Sequence, residues 1–261
     1  MRNPVSGRMM ATVAVMALLL LAPAPIAGGA AVAAQTPALP RASDGKPDLS
    51  GYWQVLNTAS WDIQDHAAKP GVPAGQGVVD GNEIPYLPSA AAQKRENYED
   101  RVTADPNARC YLPGVPRIMY MPFPFQIVQT PTYTAILHEY VHAVRHIFMD
   151  GSPHPEGHID WWMGDSRGHW EEDTLVVDVT HFDERTWFDQ AGNFHSDALH
   201  LVERYTLMDP NTINYEVSVE DPNVFTRPWT MSMLFYRHKE ENFRLMEYEC
   251  YAFDDLGQAV P

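Results

Sequence analysis

The chain has 261 residues and a formal net charge of −16 at pH 7. That length allows one large domain or two small ones. So much negative charge argues against nucleic acid and anionic membranes as partners, and favours small-molecule work or a tolerant secreted surface.

Arg2 and Arg8 precede the apolar run "MMATVAVMALLLLAPAPIAGGAAVAA", which ends in small residues. This is the plan of a secretory signal peptide over residues 1–34, cleaved near Ala34. The run is too short and too broken by proline for a membrane span, and no cysteine follows it to carry a lipid. The expected location is periplasmic or secreted, with the mature chain two charges more acidic. Cys110 and Cys250 are the two cysteines. In an oxidising compartment they most simply form one disulfide. In the chain-entropy model such a bridge contributes roughly 4–5 kcal/mol. A catalytic or metal-binding thiol is the alternative.

Residues 35–48, "QTPALPRASDGKPD", form a proline-rich lead-in expected to be disordered. "LSGYWQVL" is a short strand. Residues 57–125 are rich in Pro, Gly and Ala, a loop-rich insertion in which only "SAAAQKRENYEDRV" looks helical, with Ser89 as N-cap. From Gln126 strands follow one another between turn signals. "QIVQ", "YTAILHEY" and "VHAVRHIFM" precede the turn "DGSPHPEG". "RGHWEE" and "TLVVDVTHF" form a hairpin at Glu172-Asp173. "LHLVERYTLM" turns at "DPNT" into "INYEVSVED", and "WTMSMLFYR" and "NFRLMEYECYAF" close the chain. Nine or ten antiparallel strands with short connections imply an all-β fold, an antiparallel meander β-barrel or a sandwich, in one domain over 49–261.

Two resemblances rest on these segments. Gly51, Tyr52 and Trp53 resemble the glycine-x-tryptophan opening of lipocalins, whose tryptophan plugs the closed end of a barrel, so a lipocalin-like barrel is implied. Over about residues 44–250 the elements "DGKPDLSGYW", "CYLPGVPR", "MDGSPHP", "HWEEDTLVVDV", "ERYTLMD" and "EDPNVFTRPW" are similar to those of an uncharacterised family of secreted bacterial proteins. That likeness brings no stated chemistry with it.

Residues two apart on a strand share a face. Read as one alternation through 134–148, Ala135, Leu137, Glu139, Val141, Ala143, Arg145 and Ile147 point inward, and His138, His142 and His146 point to water. Glu139 and Arg145 are then either a buried ion pair or a carboxylate orienting an arginine that holds a ligand's acid group. In "LHLVERYTL" the inward set is Leu199, Leu201, Glu203, Tyr205 and Leu207, with His200 and Arg204 outward. Burial suits Glu203 to acid/base work; pairing with Arg145 or Arg204 is the structural alternative. His195 and Ser196 fall in a loop at the barrel mouth, where an imidazole serves as a general base. His154, His158, Asp160, Trp161 and Trp162 stand together in the other mouth loop. The tryptophans suit an aromatic or sugar ring, or plug the barrel end. A zinc or copper site of His154, His158, His195 and His200 is conceivable, although no strict ligand spacing is present. No phosphate loop, dinucleotide fingerprint or GxSxG elbow occurs, and no organic cofactor or metal is expected.

These residues lead to three expectations. The first is a secreted, cofactor-independent enzyme of lyase, decarboxylase or isomerase type, acting on a largely apolar, aromatic, acidic or oxygenated molecule. His195, Glu203 and His154 would move protons, with Arg145, Glu139, Trp162, Tyr205 and His200 binding substrate. The second is a non-catalytic carrier of a hydrophobic ligand. The third is a metal-dependent hydrolase. All three place the ligand in a cup formed by the barrel.

Overall fold

The computed structural model describes residues 38–253 and 259–260; the segment 1–34 expected to be a signal peptide lies outside them. Nine strands close into one barrel. They are β1 (Gly51–Val55), β2 (Phe125–Thr130), β3 (Tyr133–His138), β4 (Val144–Phe148), β5 (Asp165–Glu171), β6 (Thr174–Thr180), β7 (His200–Asp209), β8 (Thr212–Glu220) and β9 (Trp229–Arg237). Each strand pairs with its neighbours in sequence, and β9 returns to β1. The all-β meander barrel is therefore the fold, with one qualification. An odd number of strands cannot alternate direction all the way round a ring, so one neighbouring pair must run parallel. That pair is β4–β5, which shares only Ile147↔Ser166 and Phe148↔Arg167. A parallel step needs a crossover of a dozen residues or more, and residues 149–164 supply it. The resulting seam is the weakest join in the wall.

The interior is packed rather than hollow. Phe125, Tyr205, Tyr215 and Phe235 are all buried and pack against one another in turn, with Phe125–Phe235, Phe235–Tyr215 and Tyr215–Tyr205 centroids 5.1, 4.8 and 4.9 Å apart. The cup expected from the sequence is thus filled by its own side chains. At one end the fully buried Trp53 lies under Arg237, whose guanidinium sits 4.1 Å from the ring centroid. Gly51 makes that approach possible: its φ is +133°, and a Cβ there would fall 2.1 Å from Arg237 Nη1. Residues 38–48, expected to be disordered, instead form a turn clamped to the β5–β6 hairpin by Arg41, which donates twice to Asp173 at 2.5 and 2.7 Å.

The 57–125 insertion covers the opposite end, contributing Ile63, Val79, Ile118, Met119 and Tyr120 to the core. It holds one α-helix, α1 (Pro88–Ala104), which begins earlier than expected. Leu87 occupies the N-cap position without a capping side chain, and Pro88 takes the first helical position, where its missing N–H is not needed. Beyond α1, the buried Arg117 and Asp105 form a two-point ion pair at 2.8 and 2.7 Å. The segment expected as a last strand remains outside the barrel as an irregular tail, with Ala252–Phe253 paired to Ala259–Val260. The tail is tied back by the Cys110–Cys250 disulfide, which closes a sequence separation of 140.

Candidate functional site

Strand parity places the interior charges. β3 points Thr134, Ile136 and His138 inward, whereas β4 points Arg145 and Ile147 inward. The alternation expected through 134–148 therefore reverses in the intervening turn, where Val141 and His142 adopt φ of +48° and +54°. Glu139 consequently lies outside the barrel and accepts the Met246 backbone N–H at 2.7 Å, with no contact to Arg145. His138, expected to face water, is buried with its Nε2 unpartnered. Burial, helped by the nearby Arg145 cation, lowers its pKa to about 3, so the ring is neutral.

Arg145 meets Glu203 instead, across the interior. Its Nη1 donates to Glu203 Oε1 at 2.9 Å and to the Tyr205 hydroxyl at 3.2 Å, its Nη2 to Glu203 Oε2 and to Ser166 at 3.0 Å, and its Nε to Ser166 at 3.2 Å. Tyr205 and Tyr215 hydroxyls donate to Glu203 Oε1 at 3.1 and 2.5 Å. All five guanidinium N–H groups are occupied, and both residues are at most 1% exposed. Burial pushes the Tyr205 and Tyr215 phenols far above their usual range, reinforced by the Glu203 charge. This network binds β4, β5, β7 and β8 together and leaves no donor for a ligand.

His195, expected at the rim of a pocket, is also buried, 2% exposed. Its Nδ1 is 2.8 Å from the Ser196 carbonyl and must donate to it, so Nε2 accepts from the Thr186 hydroxyl at 2.6 Å. Burial holds this imidazole below its ordinary pKa against the opposing effect of the Ser196 carbonyl.

The exposed chemistry lies on the outer face of β5, β6 and β7. Outward residues there are Asp165 and Arg167 on β5, Asp178 on β6 and His200 on β7, and the register sets Arg167 opposite Asp178. The 149–164 crossover folds back over this face. Arg167 donates to Ser152 in the crossover and, through Nε and Nη2, to Asp165 at 2.6 and 2.8 Å. His154 is thereby set between two carboxylates, with Nδ1 2.6 Å from Asp165 and Nε2 2.8 Å from Asp178. Ionised carboxylates only accept, so this arrangement calls for an N–H on each ring nitrogen. Asp178 also accepts from His200 Nε2 at 2.7 Å. The result is a continuous chain, Arg167–Asp165–His154–Asp178–His200. Burial alone would raise both aspartates, but hydrogen bonds from Arg167 and His154, and from His200 and His154, outweigh it and hold both carboxyls below their usual range. His200 is 38% exposed, and its Nδ1 lies 4.0 Å from Glu220, beyond hydrogen-bond reach.

Two clefts border this chain, and a third adjoins the second. A cleft of about 400 Å³ is lined by His158, Asp160, Thr180, His181, Asp197 and His200. A groove of about 590 Å³ runs along the β4–β5 seam, between the outward Phe148 and the crossover's Ile159, Trp161, Trp162 and Met163. Asp160 lines both. A third cleft of about 310 Å³ lies beyond Trp162, with Arg109, Tyr111, Arg185 and Trp187. The structure thus brings His154 and His200 together, sets Trp162 in a groove wall, and keeps His195, Glu203, Arg145 and Tyr205 internal. The four histidines considered as metal ligands do not assemble: among the described residues no group of three or more His, Cys, Asp or Glu side chains is placed to hold a metal ion. Sequence reasoning missed Asp165, Asp178 and Arg167. Two-residue spacing of Asp165 from Arg167, and of Asp178 from Val176 and Thr180, marked one outer face, but only the crossover's fold connects them to His154.

No helix among the described residues is long and apolar enough to cross a membrane. Comparison with models of protein families, with curated proteins and with solved structures finds no match to this chain.

Proposed function

We propose that this protein is a secreted or periplasmic, cofactor-independent enzyme that moves protons on a small, largely apolar molecule, in a lyase, decarboxylase or isomerase type of reaction. The observation that carries the reading is the Asp165–His154–Asp178–His200 chain at the edge of two clefts. A half-exposed imidazole oriented by a carboxylate is the usual form of a general base. His200 takes the proton, Asp178 fixes the ring and balances its charge, and His154 with Asp165 holds Asp178 in place. The apolar part of the substrate lies in the seam groove beside Trp161 and Trp162. His195, Glu203, Arg145 and Tyr205, saturated by internal bonds, act as structure. Secretion is supported by the composition of the amino-terminal segment and by the disulfide.

A carrier is the second reading, favoured by the apolar wall of the groove and its exposed Phe148, Ile159 and Trp161. Untargeted metabolite profiling of a deletion strain separates the two. An enzyme leaves one compound accumulated, which purified protein converts and His200→Ala protein does not. A compound that copurifies unaltered, and is converted by neither, establishes the carrier instead.

A further inference from the structure

The three clefts form a row, and the walls they share define what fits along it. Asp160 separates the histidine cleft from the seam groove, and Trp162 separates the groove from the third cleft. The Trp162 indole is rigidly held: Tyr111 stacks on it at 5.0 Å between centroids, and the Arg185 guanidinium lies 4.4 Å from its ring. With Tyr111 and Arg185 against its ring, Trp162 is a wall shared by two clefts, which suits a ligand long enough to span it. It favours planar rings over flexible chains.

Four arginines line the groove and the third cleft, and three of them are already neutralised. Arg145 is spent on Glu203, Arg167 on Asp165, and Arg185 on Asp183. Arg109 differs. Its Nε donates to the Thr103 carbonyl at 3.1 Å, while its two terminal nitrogens make no hydrogen bond or ion pair among the described residues. The residue ends the short 3-10 turn Pro106–Arg109, directly before the disulfide-bonded Cys110. A guanidinium tethered at Nε with both terminal nitrogens free presents the geometry that reads a carboxylate or sulfonate.

We infer that the substrate of the proposed site is an elongated aromatic anion. Its rings lie against Trp161 and Trp162 in the seam groove, its acid group reaches past Trp162 to Arg109, and its reacting end lies towards Asp160 and His200. The inference rests on the reading of the seam groove as the binding surface, and it assigns to Arg109 the recognition of charge. Each of the three clefts alone falls in the size range of a small-molecule site.

The test is a matched pair of fluorescent probes, anilinonaphthalene sulfonate and its uncharged parent phenylnaphthylamine, which differ only in the acid group. Each is titrated into the folded, full-length mature protein. The wild type binds the sulfonate about tenfold more tightly, the Arg109→Gln variant binds both alike, and Trp161→Ala weakens both, since one charge-assisted contact is worth about a factor of ten. Equal binding of the two probes by the wild type, with both weakened by Trp161→Ala, overturns the anion assignment and leaves the groove reading intact. Failure of both probes to bind, or binding indifferent to Trp161→Ala, overturns both. Unchanged circular dichroism of the variants secures the comparison.

Discussion

Arg145 on β4 and Glu203 on β7 face each other across the barrel interior, each almost completely buried, with every guanidinium N–H in use. A buried pair of this kind adds little net stability over an apolar pair of equal volume, but losing one partner strands a charge. Glu203→Gln or Arg145→Met alone is therefore expected to lower unfolding free energy by about 3–5 kcal/mol in urea titrations. The Arg145→Met, Glu203→Leu double variant recovers a large part of that loss. Additive losses in the double variant would mean that the pair's partners, Tyr205, Tyr215 and Ser166, carry the effect.

His138 predicts an acid limb of defined sign. Its folded pKa, about 3, lies below its ordinary 6.5. The unfolded chain therefore binds a proton that the folded chain refuses as pH falls below 6.5. Stability from the neutral ring is fully present above that value and is lost progressively towards pH 3. Asp165 and Asp178, held below their usual range, lose their contribution in the same direction but at lower pH. His138→Leu should flatten the stability profile between pH 6.5 and 3 and leave the lower limb. An unaltered profile would show that His138 is solvated.

Gly51 joins a glycine-only backbone to a close contact. Gly51→Ala would place a methyl group against Arg237 and force a side chain into a φ that L residues rarely adopt. The expected loss is about 2 kcal/mol or more, read as a lower midpoint in thermal unfolding, whereas Tyr52→Phe at the neighbouring half-buried position is close to neutral.

Much of the fold was legible because its cause is local. The strands β7 to β9 alternate cleanly, and the turn between β7 and β8 carries Pro210 and Asn211, residues that favour turns. The β3–β4 hairpin was not legible. Two-residue turns with positive φ normally advertise themselves as Asn-Gly, and here Val141 and His142 occupy those positions. Without that signal the alternation ran on through the turn, which put His138 outside and Glu139 inside. The site was hidden for a different reason. His154 and His200 stood out as imidazoles, but the two aspartates that connect them belong to separate strands, joined only when the crossover folds back. Packing, too, hid the state of the interior: Glu203 and Arg145 looked like the lining of a cup, and the packed Phe125, Tyr205, Tyr215 and Phe235 rings fill it.

The Cys110–Cys250 bridge fixes the tail against the turn that carries Arg109. Replacing both cysteines by serine should cost about 4–5 kcal/mol, the loop-entropy figure for this separation. The barrel's far-ultraviolet spectrum is retained, because all nine strands lie outside the tail. Loss of the barrel itself in the double variant would show that the tail is part of its core.

The proton-moving role of the outer-face chain is tested most directly by the Asp178→Asn variant, assayed on the compound that accumulates in the deletion strain. The substitution keeps the shape of the carboxylate and removes the charge that orients His200 and His154. The account predicts a fall in kcat of about a hundredfold or more, with the fold and probe binding retained. A variant that converts the compound at the wild-type rate would contradict it.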